Sequence, residues 1–190
     1  KKSHLSKEQI NNNVETEIKK FEKNYIEKIL PSKLQEKPTN LYEMSDAKIF
    51  ASTNLVTRSL STTMGHLWER LANCSDVTLS TEEEFAIKIK GIDIIFIKNN
   101  KPIYTQIKTL EGTLTGSQAD RSKSELSIHE QSIFVAAFNT GTGWTFGSDK
   151  IPRKKGKEFW EQINIDYDFI LKNVKTMIKG IENNFSKLNN

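Results

Sequence analysis

The stretch GIDIIFIKNNKPIYTQIKTL, residues 91–110, decides how the rest of the chain is read. Two apolar runs, DIIFI and IYTQIKTL, flank the tetrad Asn99-Asn100-Lys101-Pro102. Asn tolerates positive φ and Pro fits beside a turn or at a strand start, so the tetrad predicts a turn between two strands. Three polar residues sit oddly in that hairpin: Asp93 heads the first strand, and Gln106 and Lys108 close the second. Side chains two apart on a strand share a face, so Gln106 and Lys108 point the same way while Ile107 points into the opposite core. The turn folds both back beside Asp93. A sheet with one wet face would also carry polar residues, and that reading serves for Lys88, Lys90 and Lys98. It serves Asp93 poorly, because IDIIFI is almost continuously apolar and an acid heading a buried strand needs a cation or metal to offset its desolvation.

Two oxygen donors and an ammonium on one face suit phosphodiester hydrolysis. That reaction needs a divalent cation to neutralise developing charge and to lower the pKa of an attacking water from about 15.7 toward neutrality. Mg²⁺ takes oxygen ligands in octahedral geometry, usually one or two carboxylates with water and substrate phosphate. Asp93 supplies a carboxylate and Gln106 a neutral amide oxygen. Lys108 would orient the nucleophilic water or stabilise the pentacovalent charge.

Around the hairpin, Ser6-Lys-Glu-Gln matches a capping box, and Ile10, Val14, Ile18, Phe21, Tyr25 and Ile29 follow at three- and four-residue spacing. The spacing predicts an amphipathic helix ended by Pro31. A second helical region is expected from about 45 to 72, interrupted near SLSTT, with Met64, Leu67, Trp68 and Leu71 on one face. From 84 the period changes to two, Phe85, Ile87 and Ile89 alternating with Lys88 and Lys90, which predicts a strand. Residues 111–131 form a polar, Ser- and Gly-rich connection, SIFVAAF reads as a buried strand, and GTGWTFGSDK as an edge strand or hairpin. Helical spacing returns with Phe159, Trp160 and Ile163 and continues through Tyr167, Ile170, Val174, Met177 and Ile181. The expectation is one domain over 1–190, with a helical part at 1–75, a β-sheet core at 84–148 and C-terminal helices at 156–184.

At 190 residues the chain is long enough for one domain with a real core. No apolar run approaches the roughly 20 residues a bilayer span needs, so no membrane partner is expected. The net charge of +4 is compatible with a polyanionic partner. Cys74 is the single cysteine, which excludes a disulfide framework and a thiolate metal cluster and suits a reducing cytoplasm. The chain opens on Lys1 rather than Met, which suggests trimming upstream, and shows no signal-peptide pattern.

The order Gly-Ile-Asp on one strand and Gln-x-Lys on the next resembles the active-site signature of the PD-(D/E)XK nuclease superfamily, in the variant where Gln replaces the second acid. More narrowly, GHLWERLA, then GIDIIFI, IYTQIKT and a late GKEFWEQI are similar to type II restriction endonucleases, over about residues 55–165. The resemblance implies an α/β, restriction-endonuclease-like fold: a central mixed β-sheet flanked by α-helices. It implies Mg²⁺ as cofactor, double-stranded DNA as substrate, and a homodimer, with the N-terminal helix or the C-terminal helical pair as interface unless those helices only cover the sheet. Asp93, Gln106, Lys108 and the helix-borne Glu69 would be catalytic. Asp93, Gln106, Glu69 and the Ile107 backbone carbonyl would hold the metal. The chain departs from the pattern at Ile92, where proline is usual, and at Gln106, where an acid is usual. The second departure makes Glu69 more important. Glu69 also reads as an ordinary solvated glutamate paired with Arg70 or a lysine, although Gly65 and Ala72 line its helix face. His66 reads as a helix-surface residue, with no other His suitably spaced for a metal.

DNA contacts are expected after the catalytic strand, where Gln118 and Arg121 offer bidentate contacts to base edges and Lys123 suits phosphate. The basic run DKIPRKKGK, with Lys150, Arg153, Lys154, Lys155 and Lys157, offers backbone contacts. Both segments also read as solvated loops. Two other functions fit the same residues: a repair or recombination nuclease that recognises DNA structure, and a non-catalytic DNA-binding module with a degenerate site.

Overall fold

A computed structural model describes residues 2–37 and 40–189. The helices are α1 (Lys7–Asn24), α2 (Leu30–Gln35), α3 (Leu41–Met44), α4 (Lys48–Ala72), α5 (Thr81–Phe85), α6 (Gly116–Ser127), α7 (Lys157–Trp160) and α8 (Tyr167–Leu188). The strands are β1 (Thr78–Leu79), β2 (Ile94–Lys98), β3 (Lys101–Lys108), β4 (Ser132–Ala136) and β5 (Arg153–Lys155). They form one sheet in the order β1-β2-β3-β4-β5. The first three strands pair antiparallel, whereas β3, β4 and β5 run parallel, so the sheet is mixed. It therefore begins at Thr78 and ends at Lys155, beyond the expected span at both ends.

Each face of the sheet is covered. Ile94, Phe96, Ile103, Ile107, Ile133 and Val135 pack with the apolar stripes of α1, α4 and α8 in the main core. On the other face, Phe134 packs with Ala119 and Leu126 of α6 and with Leu114, Phe146 and Ile151. Two indole N–H groups pin helices to the sheet, Trp68 Nε1 donating to Thr109 Oγ1 at 3.0 Å and Trp160 Nε1 to the Ala137 carbonyl at 2.7 Å. The stripes of the N-terminal and C-terminal helices are thus spent within the chain, covering the sheet, the second of the two roles the sequence left open for them.

The hairpin forms as expected. Asn99 and Asn100 take φ of 52° and 59°, the two positive values of a type I′ turn, and Lys98 pairs with Lys101 across it. The capping box at Ser6 and Gln9 is present, as is the fully buried β4. Five expectations change. Pro31 does not end the first helix: the chain widens into a π-helical turn over Tyr25–Ile29 and continues as α2, with the proline in the first turn of that segment. α4 runs 25 residues without a break at SLSTT. Residues 84–90 are not a strand, because Ser80 caps α5 by accepting from the Glu83 N–H and three glutamates favour the helix N-terminus. Phe85 and Ile87 are left 62% and 60% exposed. The polar segment after β3 contains α6, started by a capping box between Thr115 and Gln118. GTGWTFGSDK forms no strand, although Phe146 within it is buried and stacks on Phe134 at 4.2 Å between ring centroids.

Beyond β3, Glu111 is only 1% exposed. Its carboxylate accepts from the Thr140 hydroxyl at 3.1 Å and from Lys155 Nζ at 3.3 Å, tying the 139–145 segment and β5 to the end of β3. Burial alone would raise the Glu111 carboxyl; hydrogen bonds from its own N–H, Thr140 and Lys155 outweigh it and hold the group below its ordinary value. A depressed carboxyl stabilises the fold above the unfolded-state value, about 4.3 for glutamate, and that stability is lost as pH falls through the folded value. Glu111→Gln is expected to cost about 2 kcal/mol at neutral pH, with the difference from the parent shrinking below about pH 4, as read by urea unfolding at both pH values.

Candidate active site

The site is assembled where β2 and β3 converge. The register pairs Ile94 with Thr105, so Asp93, one residue earlier, lies opposite Gln106. The Asp93 N–H donates to the Thr105 carbonyl at 2.9 Å, and its Oδ2 accepts from the Ile107 N–H at 2.6 Å. A strand residue turns its N–H and C=O to the same neighbour, so the Ile107 carbonyl also faces the Asp93 side. Burial pushes the Asp93 carboxyl up, against the Ile107 hydrogen bond and the positive fields of Lys108, His66 and Lys88. The hairpin therefore brings Asp93, Gln106 and Lys108 together. Among the described residues, Lys108 makes no ion pair within 4 Å and no side-chain hydrogen bond, which leaves its ammonium available.

Gln106 is 4% exposed. Its Nε2 donates to the Gly91 carbonyl at 2.8 Å and to Glu125 Oε2 at 3.3 Å, whereas its Oε1 is buried without a hydrogen-bond partner among the described residues. A buried amide oxygen without a protein donor is costly unless a water or an ion satisfies it. Gly91 makes this packing possible. Its φ is +74°, and a Cβ there would lie 2.6 Å from the Cβ of Glu125.

Glu69 comes from the last turns of α4. Its Oε1 accepts from the Ser80 hydroxyl at 2.7 Å. Burial raises its carboxyl, the Ser80 bond opposes this, and the charges of Asp93, Glu82 and Glu83 raise it further. The Asp93 charge thus acts on Glu69, which places the two acids in one neighbourhood. A Cβ on Gly65, one turn earlier, would meet nothing within 4 Å, so that side of the helix is open to an incoming group. His66 is an exposed helix-surface residue.

No three His, Cys, Asp or Glu side chains converge on one point among the described residues. Asp93 and Gln106 lie opposite each other on the hairpin, and Glu69 on α4 is near enough for the Asp93 charge to act on it; a carboxylate or two with an amide oxygen is a donor set that suits Mg²⁺, which completes its shell with water and phosphate. The orphaned Gln106 Oε1 is the observation that makes the fit.

The expected DNA contacts fare unevenly. Gln118 spends its amide oxygen on the Thr115 N–H at the start of α6. Arg121 is exposed and uses only Nε, donating to Glu125 Oε1 at 2.9 Å, so its other N–H groups stay free to donate. Lys123 lies 3.5 Å from Asp120. Arg153 donates Nη1 to the Phe146 carbonyl at 2.8 Å and covers the Trp144 ring, and Lys155 pairs with Glu111. Lys154 is half-buried on β5, Lys157 pairs with Glu161, and Lys150 is exposed. Sequence reading missed Glu125, Gly91 and Ser80. Only the Thr115/Gln118 capping pattern would have placed Glu125 on a helix.

The fold and site define an α/β protein with a mixed sheet in which Asp93, Gln106 and Lys108 stand where β2 begins and the central strand β3 ends, with Glu69 on α4. The chain matches no model of a known protein family, and no curated protein is similar to it in sequence.

Gly91→Ala should lower stability by about 2 kcal/mol or more, since the left-handed conformation alone costs an L-residue about 1–2 kcal/mol and Glu125 must also move; thermal unfolding reads it. A carboxyl whose folded value is raised contributes stability below the ordinary carboxylate range and loses it as pH rises through the folded value. Glu69→Gln, which keeps an acceptor for Ser80, is therefore expected to raise the melting temperature of the cation-free protein at neutral pH, and not at pH 3.

Proposed function

We propose that the protein is a Mg²⁺-dependent endonuclease with a restriction-endonuclease-like fold, hydrolysing phosphodiester bonds of double-stranded DNA at a specific short sequence, in the manner of type II restriction enzymes. The reading is carried by one observation: the unpartnered Gln106 Oε1 buried opposite Asp93, with the unpaired Lys108 two residues along the same strand face. The mixed sheet with helices on both faces supports it.

Bound Mg²⁺ would supply charge neutralisation at the phosphate and a more acidic water. Asp93 Oδ1, Glu69, Gln106 Oε1 and the Ile107 carbonyl would hold the ion. Asp93 Oδ2 stays on the Ile107 N–H, which keeps the carboxylate from rotating away. Lys108 would orient the attacking water and stabilise negative charge on the phosphorus oxygens in the transition state. Because burial raises Asp93 and Glu69, cation binding must displace protons from them, so activity is expected to rise with pH above the ordinary carboxylate range.

Arg121 and Lys123 on α6 would face the DNA, with Lys154 as a phosphate contact. A homodimer would set two sites on the two strands of a palindromic sequence. With α1 and α8 committed to the sheet, its interface would fall on the exposed Leu41, Tyr42, Met44, Ile49 and Phe50 of α3 and early α4. Among the described residues no helix is long and apolar enough to cross a membrane. A cytoplasmic setting is proposed from the lone Cys74, whose thiol burial pushes up to about 12, making it inert.

The test is incubation with mixed-sequence DNA and Mg²⁺. Discrete fragments are expected from the parent protein, with Lys108→Ala and Asp93→Asn each slower by about 10²–10³-fold or more. Equal cleavage by Lys108→Ala would sink the proposed site, and no Mg²⁺-dependent cleavage of any substrate would favour a DNA-binding module.

A further inference from the structure

An amide is a two-ended ligand. Rotated by half a turn about its last bond, Gln106 would present an NH₂ group where its oxygen now stands, and an NH₂ repels a cation. What prevents the rotation is the pair of acceptors on the far side. The Gly91 carbonyl, at 2.8 Å, engages one N–H, and Glu125 Oε2, at 3.3 Å, takes the other. Glu125 reaches the hairpin from α6, its side chain is only 10% exposed, and its remaining oxygen is held by Arg121 Nε at 2.9 Å. A carboxylate packed under the left-handed turn at Gly91, against the one buried amide of the site, has no partner there except Gln106 and Arg121 among the described residues.

We propose that Glu125 is a positioning residue: acting through Gln106 Nε2, it fixes the amide with Oε1 turned toward the cation position beside Asp93. Its negative charge does a second thing. An N–H donated to a carboxylate pushes electron density toward the amide oxygen, so the neutral ligand gains part of the donor strength of the acid it replaces. Arg121 orients Glu125 in turn, as outer-shell partners orient the groups that ligate. The inference rests on the reading of Asp93, Gln106 and Lys108 as a Mg²⁺ site.

The test is titration calorimetry of the full chain with Mg²⁺, and with Mn²⁺ as a stronger-binding probe, in the absence of DNA. Glu125→Ala is expected to weaken cation binding by about 10- to 100-fold, the usual effect of removing an outer-shell partner. Glu125→Gln, whose own amide oxygen can accept from Gln106 Nε2, should restore most of the loss. On a Gln106→Ala background, Glu125→Ala should cause no further loss, because its effect runs through that amide. If Glu125→Ala does not fold, Glu125→Asp takes its place: its carboxylate falls one methylene short of Nε2, and weakened binding is again expected. Parent-like affinity in Glu125→Ala or Glu125→Asp, or an additive loss in the double variant, would overturn the positioning role. Cation binding that vanishes in Asp93→Asn but is indifferent to Glu125 would overturn that role alone and leave the nuclease reading standing. A parent protein that binds neither cation would overturn both.

Discussion

The hydrogen bond from the Ile107 N–H to the Asp93 carboxylate is the contact on which the site's geometry depends. A hairpin normally closes with backbone on backbone. Here a side-chain oxygen takes the N–H that the ladder would have used, while the Asp93 backbone binds Thr105. The acid is thereby fixed to β3 rather than merely near it, and Gln106 and Lys108 are placed by the same strand. Holding a carboxylate in a largely buried position costs several kcal/mol unless donors and cations compensate. The Ile107 N–H and the fields of Lys108, His66 and Lys88 compensate in part, yet the carboxyl stays raised.

What the sequence made legible were features governed by local spacing. The Asn-Asn turn, the alternation that sets Gln106 and Lys108 on one face, the buried SIFVA strand and the stripe of α8 depend on neighbours in the chain. The failures share a physical cause. At 84–90 a period of two was real, but Ser80 and the glutamates after it made a helix locally cheaper, and no strand lay alongside to satisfy the backbone. α6 buries only Ala119, Ser122 and Leu126, so its apolar face is too small to show as a stripe. In GTGWTFGSDK the aromatic rings pack on Phe134 from an irregular backbone, a matter of tertiary contact that no periodicity records. Glu125 and Ser80 were invisible for the same reason. Their importance lies in what they touch across the fold, Gln106 and Glu69, and neither contact leaves a mark in local spacing.

The basic residues show how composition misleads about surface charge. Arg153 and Lys155 sit in the most basic run of the chain, yet one is turned onto Trp144 and the Phe146 carbonyl and the other onto buried Glu111. Both are structural cations that happen to be close together in sequence. Lys108, which has no ion pair among the described residues, stands in a strand of the hairpin and adds nothing to any visible cluster. A count of lysines and arginines therefore says less about where an anion would be held than the question of which of them the fold has already neutralised.

The π-helical turn at Tyr25–Ile29 sets the phase of the helix that follows it. Buried Tyr25 and Leu30 are five residues apart, one more than an α-helical repeat would allow, and the Leu30 N–H reaches back five residues to the Tyr25 carbonyl. A widened turn of this kind is equivalent to a single-residue insertion absorbed without breaking the helix. In a uniform sequence such a defect is free to migrate along the helix, each position costing about the same. Pro31, which has no N–H to give and a ring that crowds the preceding turn, removes that freedom. The defect is pinned, and with it the rotational phase of everything that follows, so that a proline read at first as a stop acts as a registration mark.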